Sequence, residues 1–205
     1  MEHLQILCEL LKDKFHSEEL KTQLKEFTTD DWDIFLDLSA SHDIQAILYQ
    51  PMKTLSKEIT IPGAVIEQLY EMCLKKAARN TVLLNEAKEI LSAFNDNEIP
   101  VICLKGLYLG EKVYQNIFSR SMGDLDLLLK KRDIPKALSI LKSLGYQSTT
   151  YFDHNDKNLD VKHVPPFKNK KGAFIEIHWT ILAEDEPFQI DIDGIWTRAI
   201  PVTIA

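Results

Sequence analysis

The hydrophobic pattern of this chain changes at Pro100, and that change limits the folds available to it. Before Pro100, apolar residues recur three and four positions apart, which is the spacing of amphipathic helices. After Pro100, short apolar runs of strand length alternate with stretches of helical spacing. The predicted order is strand, helix, strand, helix and then three strands. The sequence therefore predicts an α+β fold, with a small mixed sheet preceded by an N-terminal helical region.

The helical region is predicted to hold three short helices and one long helix. The short helices are expected near residues 4–11, 18–27 and 29–48. Thr29 or Asp30 can cap the third of them. The long helix is expected to begin near Pro62 and to end near Phe94, before a run of turn-forming residues. We expect two domains: an N-terminal helical region over residues 1–60, and a core over residues 61–205 that includes the long helix and a short C-terminal helix.

The predicted sheet is built from short strands that follow Pro100. The first two strands are expected at Val101–Leu104 and Asp124–Lys130, with a helix from Leu107 to about Gln115 between them. Asp133 can cap the next helix, and Gly145 suits its end. The last three strands are expected near residues 146–151, 161–167 and 173–179, the final two forming a hairpin. Two prolines at positions 165 and 166 favour a sheet-edge position for the first hairpin strand.

The composition of the chain excludes several classes of function. The net charge of the 205 residues is −7, so broad binding to nucleic acid through phosphate neutralisation is not expected. Three cysteines without paired spacing support neither a disulfide framework nor a zinc site. The N-terminus lacks the features of a signal peptide, and no apolar run has the length of a membrane span. We therefore expect a cytoplasmic protein with no membrane partner.

Two aspartates near the start of the second predicted strand form the sharpest local feature. Asp124 and Asp126 lie two positions apart, so on a strand their side chains point to the same face. Two such carboxylates repel each other, and a divalent cation bound between them removes that cost. Magnesium prefers carboxylate oxygens and keeps open positions for substrate phosphates. The alternative is a strand end with two solvated aspartates.

A glycine follows the first predicted strand, in the sequence Leu104-Lys105-Gly106. A glycine between a strand and a helix lets the backbone approach a phosphate closely, and the Lys105 side chain can add a positive charge. The alternative is an ordinary strand-to-helix turn.

The last predicted strand places one acidic residue among apolar ones. By alternation, Glu176 and His178 share one face of this strand, and Ile175, Ile177 and Trp179 share the other. A buried glutamate needs a partner, which can be a metal ion or a basic side chain. We interpret His178 as a hydrogen-bonded structural histidine rather than as a ligand.

Four motifs in this order resemble the uncharacterised bacterial nucleotidyltransferases of the DNA polymerase β-like superfamily. They lie at residues 104–106, 120–128, 144–146 and 175–179. The resemblance implies a two-magnesium site (or a manganese site) with Asp124, Asp126 and Glu176 as metal ligands and catalytic residues. It implies transfer of a nucleoside monophosphate from a nucleoside triphosphate to an acceptor that the sequence leaves unknown.

The resemblance also implies which residues contact the nucleotide. Gly106 takes the place of the phosphate-loop glycine, and the nearest further donors are Lys105, Arg120 and Ser121. Leu107 stands where the superfamily usually has a serine or a second glycine. That departure favours an alternative function, a nucleotide-binding regulatory module that keeps the fold and lacks the transfer step.

Overall fold

The computed structural model describes residues 3–12, 17–113, 122–150, 163–183 and 186–204. The chain forms two compact units: the first extends to Asn80, and the second begins at Thr81. This division falls inside a long helix. The predicted domain division at residues 60 and 61 stays a prediction. No helix in the described ranges combines the length and the hydrophobicity that crossing a membrane requires.

The first unit is helical, as the periodicity predicts. Its helices are α1 (His3–Leu10), α2 (Glu18–Lys25), α3 (Thr29–Ser41), α4 (Gln45–Leu55) and the first part of α5 (Gly63–Asp96). Their apolar faces form one core, in which Phe35, Leu48 and Met52 are fully buried. Because each short helix is amphipathic, burial of these faces stabilises helices that would be marginal alone.

The region predicted as a single third helix forms two helices. The side chain of Thr28, rather than Thr29 or Asp30, caps α3, and the Asp31 side chain accepts a hydrogen bond from the Thr28 backbone in return. The break follows Ser41, where Asp43 adopts a left-handed φ of 54° that no continuous α-helix contains. Hydrophobic spacing across residues 32–48 does not register this break, because the apolar residues on both sides face the same core.

The second unit contains the sheet. After the end of α5, its elements in chain order are β1 (Val101–Cys103), α6 (Lys105–Tyr108), β2 (Leu125–Leu129), α7 (Ile134–Ser143), β3 (Gln147–Ser148), β4 (Phe167–Lys168), β5 (Phe174–His178) and α8 (Ile192–Arg198). This is the predicted order of strands and helices. Helix α6 begins two residues before the predicted Leu107 and continues as a π-helical turn, Leu109–Val113; the predicted end at Gln115 lies outside the described residues.

The five strands form one mixed sheet in the order β1-β2-β5-β4-β3. Strand β2 pairs antiparallel with β1 and parallel with β5. The prediction that the first hairpin strand lies at a sheet edge is wrong, because β4 lies between β5 and β3. The two prolines precede β4 and remove no donor from its ladder, and the Pro166 carbonyl accepts a hydrogen bond from the Thr149 amide.

One face of the central strands is buried against apolar side chains. Leu125, Leu127, Ile175 and Ile177 alternate along β2 and β5 and are completely buried. Since successive side chains point to opposite faces of a strand, the residues between them lie on the other face. Those residues include Asp126, Glu176 and His178.

Candidate metal and nucleotide site

The pairing of β2 with β5 brings the acidic residues together. The two strands are parallel, with Asp126 opposite Glu176 and Leu128 opposite His178. Residues at paired positions share a face of the sheet, so the Asp126 and Glu176 side chains leave the sheet side by side. The burial of Leu125, Leu127, Ile175 and Ile177 fixes this register, because a slip by one residue would bury the carboxylates in the apolar core.

Asp126 is the buried centre of the site. The residue is only 3% exposed, and its Oδ1 atom lies 2.6 Å from Lys105 Nζ and 2.9 Å from His178 Nε2. Burial raises the pKa of the Asp126 carboxyl, but the hydrogen bonds to His178 and Lys105 and the Lys105 charge lower it by more. The Asp126 carboxyl is therefore ionised, and Lys105 and His178 compensate its buried charge at the Oδ1 atom.

His178 connects the two paired acidic residues. Its Nε2 atom lies 3.3 Å from Glu176 Oε2, in addition to its contact with Asp126. One ligating atom each from Asp126, Glu176 and His178 lies within 4.8 Å of the others, a spacing that a single metal ion can bridge. The sequence favours a structural, hydrogen-bonded role for His178, and the structure places it within this group. The signal for it was its position two residues after Glu176 on the same strand face.

Asp124 lies one residue before β2, and its carboxylate is not among the ligating atoms that come within 4.8 Å of one another. The predicted strand began at Asp124, whereas β2 begins at Leu125. Burial raises the pKa of the Asp124 carboxyl, and the charges of Asp126 and Glu176 raise it further against the opposing effect of Lys105 and His178. Asp124 is thus within electrostatic range of the other two carboxylates, and their mutual repulsion opposes full ionisation of the three.

Lys105 is the one lysine that contacts a carboxylate of this group, among the residues that the structure describes. Leu104, just after β1, donates its amide to the Asp126 carbonyl at 3.0 Å, which anchors the start of α6 next to β2. Lys105 then adopts a left-handed φ of 46°, a region that side chains other than glycine rarely occupy. Burial lowers the pKa of the Lys105 ammonium, but the hydrogen bond to Asp126 and the charges of Asp126, Asp124 and Glu176 raise it by more. The lysine is therefore cationic.

Gly106 follows the strand as predicted, and its nearest neighbour across the loop is the Met122 side chain. A Cβ atom added to Gly106 would lie 3.2 Å from Met122 Cγ. Met122 is buried, and so is Leu107 on the other side of the glycine. Packing against Met122 therefore explains why a residue without a side chain is found at position 106, independently of any phosphate contact.

A family model described as "Uncharacterised nucleotidyltransferase" matches residues 28–205, which include every residue of this site. The chain belongs to this nucleotidyltransferase family. No curated protein and no solved structure matches the chain. Two further nucleotide-contact predictions for this family member, Arg120 and Ser121, lie outside the residues that the structure describes.

The donor set of this family member suits a divalent cation. Carboxylate oxygens from Asp126 and Glu176, with Asp124 nearby, are hard ligands of the kind that magnesium and manganese prefer. Three carboxylates face one ammonium group, so the site keeps an excess of negative charge that a divalent ion would neutralise. His178 can serve in either of two ways, as a nitrogen ligand or as a donor that orients Asp126.

Proposed function

We propose that this protein is a metal-dependent nucleotidyltransferase, which transfers a nucleoside monophosphate from a nucleoside triphosphate to an unidentified acceptor. The observation that carries the proposal is the in-register pair of Asp126 and Glu176, joined by His178, in a chain of a nucleotidyltransferase family. The assignment to the polymerase β-like superfamily is part of the same proposal and follows from the motif resemblance.

Asp124, Asp126 and Glu176 are the proposed metal ligands. A bound pair of magnesium or manganese ions would neutralise the triphosphate and lower the pKa of an acceptor hydroxyl. Asp126 is suited to hold charge permanently, because its pKa is lowered in spite of its burial. His178 Nε2 is suited to orient Asp126 and Glu176, because it lies within 2.9 Å of one and 3.3 Å of the other.

The proposed reaction is an in-line displacement at the α-phosphorus. The acceptor oxygen forms a bond to that phosphorus, the bond to the bridging oxygen breaks, and pyrophosphate leaves with the bonding electron pair. We assign Glu176 to the acceptor side, since its side chain is 22% exposed whereas that of Asp126 is 3% exposed. Lys105 and Gly106, with Arg120 and Ser121 from the sequence, are the proposed contacts to the triphosphate.

One observation favours the alternative function, a nucleotide-binding regulatory module without transfer. Leu107 is buried, so the position that usually supplies a hydroxyl or a second glycine supplies an apolar side chain to the core instead. Met122 covers one side of Gly106. Under this alternative the protein would bind a triphosphate in the presence of a divalent ion and would leave it intact.

The test is divalent-dependent release of pyrophosphate. Each of the four triphosphates, labelled at the α-phosphate, is incubated with magnesium or manganese and with a panel of hydroxyl and phosphate acceptors. We expect pyrophosphate release and label transfer with at least one triphosphate, and a loss of about 10²–10³-fold in Asp126→Asn. Asp193→Asn, at an exposed position in α8, is the matched control and should keep the rate. Metal-dependent nucleotide binding without release of pyrophosphate would favour the regulatory module.

A further inference from the structure

We propose that Lys105 is an internal counter-cation of the site: its ammonium group neutralises Asp126 when no metal is bound, and it moves to the triphosphate when a divalent ion takes its place. This inference rests on the proposed function for the identity of the incoming ion and of the phosphate. It concerns a residue whose contact in the structure differs from the one that the sequence suggested. The sequence indicated a phosphate contact, and the structure places the ammonium on a carboxylate.

Lys105 contacts an oxygen of Asp126 that already has a second partner. Asp126 Oδ1 lies 2.6 Å from Lys105 Nζ and 2.9 Å from His178 Nε2. A carboxylate oxygen that already has these two partners has little room for a third at bonding distance. A divalent ion coordinated by this oxygen would also repel a positive charge at 2.6 Å. A divalent ion on either Asp126 oxygen would lie close to this ammonium group, so Lys105 and the ion compete for the charge of the same carboxylate.

The carboxylates of the site need a nearby cation even before a metal ion binds. The Asp126 carboxylate is almost fully buried, and an isolated buried charge is strongly unfavourable. Asp124 and Glu176 add two more carboxylates within electrostatic range of Lys105. With the lysine in place, this group can stay assembled before any ion arrives. Lys105 thus keeps the carboxylates close together without a metal ion. It also weakens metal binding, because the ion has to displace it.

Lys105 is positioned so that its side chain can leave Asp126. Its side chain is 60% exposed although its carboxylate partner is buried, so the ammonium approaches Asp126 from the solvent side. A long flexible side chain of this kind can swing away without repacking the core. The same exposed side of the site is where a triphosphate has to enter. An ammonium released from Asp126 at that entrance is positioned to contact a phosphate oxygen.

The backbone at Lys105 supports a specific use of this side chain. A left-handed φ of 46° is disfavoured for lysine. Strained backbone of this kind persists where the surrounding structure holds it, and it often lies at functional sites. Here the Leu104 amide bonded to the Asp126 carbonyl holds the loop beside β2.

The inference predicts effects of opposite sign from one substitution. Lys105→Met keeps the length of the side chain and removes the charge. Manganese should then bind about tenfold more tightly in the absence of nucleotide, because its competitor is gone. The triphosphate should bind about tenfold more weakly in the presence of manganese, because a phosphate contact is lost. A purely structural role for Lys105 would weaken both.

The experiment is titration calorimetry of manganese, and then of triphosphate, into wild type, Lys105→Met and Lys105→Arg. Lys170→Met, at an exposed position in the β4–β5 turn, is the control. Lys105→Arg keeps the charge and should stay close to wild type, as should the control. In thermal melts with a chelator present, Lys105→Met should be folded and should melt at a lower temperature than wild type. Adding manganese should raise its melting temperature by more than that of wild type.

The possible results separate this inference from the proposed function. Equal or weaker manganese binding by a folded Lys105→Met, when the wild type binds the ion, overturns the inference and leaves the metal site standing. If Lys105→Met binds manganese more tightly than wild type and no nucleotide transfer is detected in the wild type, the inference is supported and only the transfer reaction is contradicted. Failure of both proteins to bind manganese overturns both.

Discussion

Asp126 on β2 and Glu176 on β5 are register partners in a parallel pair of neighbouring strands. This pairing places two carboxylates next to each other on the face of the sheet opposite the buried leucines and isoleucines. Like charges at this separation repel each other, and the repulsion is offset by Lys105 and by the His178 hydrogen bond. Binding of a divalent cation to these carboxylates is therefore expected to stabilise the folded protein.

We predict that Glu176→Gln reduces the stabilisation that magnesium gives. The substitution removes one negative charge from the group while preserving the shape of the side chain. If it weakens magnesium binding about tenfold, the stabilisation at saturating magnesium falls by about 1.4 kcal/mol. The apo variant should unfold at the same or a slightly higher temperature than wild type, because repulsion is relieved. Thermal melts of both proteins over a magnesium series measure this.

The control for that experiment is Glu186→Gln, at an exposed position outside the strands of the sheet. It should behave as wild type with and without magnesium. If magnesium raises the melting temperature of Glu176→Gln as much as that of wild type, Glu176 is not a ligand of the ion.

We predict that His178→Gln weakens magnesium, manganese and zinc binding by a similar factor. If His178 orients Asp126 and Glu176 through its Nε2 atom, loss of the imidazole disturbs the carboxylates for every ion, by about 10–100-fold. If the imidazole is itself a ligand, zinc should lose far more than magnesium, because nitrogen ligands favour zinc. Titration of the three ions into the variant distinguishes these roles, with the exposed His42→Gln as the control.

We predict that Gly106→Ala costs about 1 kcal/mol of stability or less, because the flexible Met122 side chain can yield to a Cβ atom 3.2 Å from its Cγ. Triphosphate affinity should fall about tenfold, since the added methyl group obstructs the approach of a phosphate to the loop backbone. Chemical denaturation and nucleotide titration measure the two effects.

The double variant Gly106→Ala with Met122→Ala separates packing from phosphate binding. It makes room for the added methyl group, so the clash should disappear. Nucleotide affinity should stay low if the loop contacts the phosphate. Recovery of nucleotide affinity in the double variant would assign Gly106 a packing role only.

A buried glutamate outside the candidate site gives the clearest prediction for pH dependence. Glu86 on α5 is 2% exposed, and its carboxylate accepts hydrogen bonds from Tyr146, Asn169 and Lys171. Burial raises the pKa of the Glu86 carboxyl, but the Lys171 and Tyr146 hydrogen bonds lower it by more, so the folded-state pKa lies below the ordinary value of 4.5. Its contribution to stability is present above that pH and is lost as the pH falls through the folded-state pKa.

We therefore expect Glu86→Gln to lower the free energy of unfolding by about 1–3 kcal/mol at neutral pH. The difference from wild type should shrink as the pH drops below 4.5. Urea denaturation of both proteins across this range measures it. Glu67→Gln, at an exposed position on the same helix, should show neither effect. A difference that stays constant through the acid range would contradict the assigned role of the Glu86 charge.

Local patterning was sufficient to predict the elements of the site. The alternation around Glu176 predicted that it and His178 share a face, and the acidic pair before Leu127 predicted the strand that carries Asp126. The long helix, the strand order along the chain and the helix capped by Asp191 were predictable for the same reason. Each of these features depends only on residues that are close to one another in the sequence.

Contacts between distant residues were not predictable in this way. Pairing of β2 with β5 joins residues about fifty positions apart, and a strand pattern does not identify its neighbour. The Lys105 contact with Asp126 depends on a left-handed backbone at a lysine, which residue type disfavours. The spacing of His178 from Glu176 indicates a shared strand face, but it does not indicate the contact with Asp126, which lies on the neighbouring strand.

The most direct test of the account is titration of manganese into wild type, Asp126→Asn and the control Asp193→Asn, each in metal-free buffer without nucleotide. The account predicts saturable binding to wild type and to the control. It predicts affinity lower by about tenfold or more in Asp126→Asn, because the buried carboxylate at the centre of the site loses its charge. Equal affinity in all three proteins would contradict the claim that Asp126, Glu176 and their neighbours form a metal site.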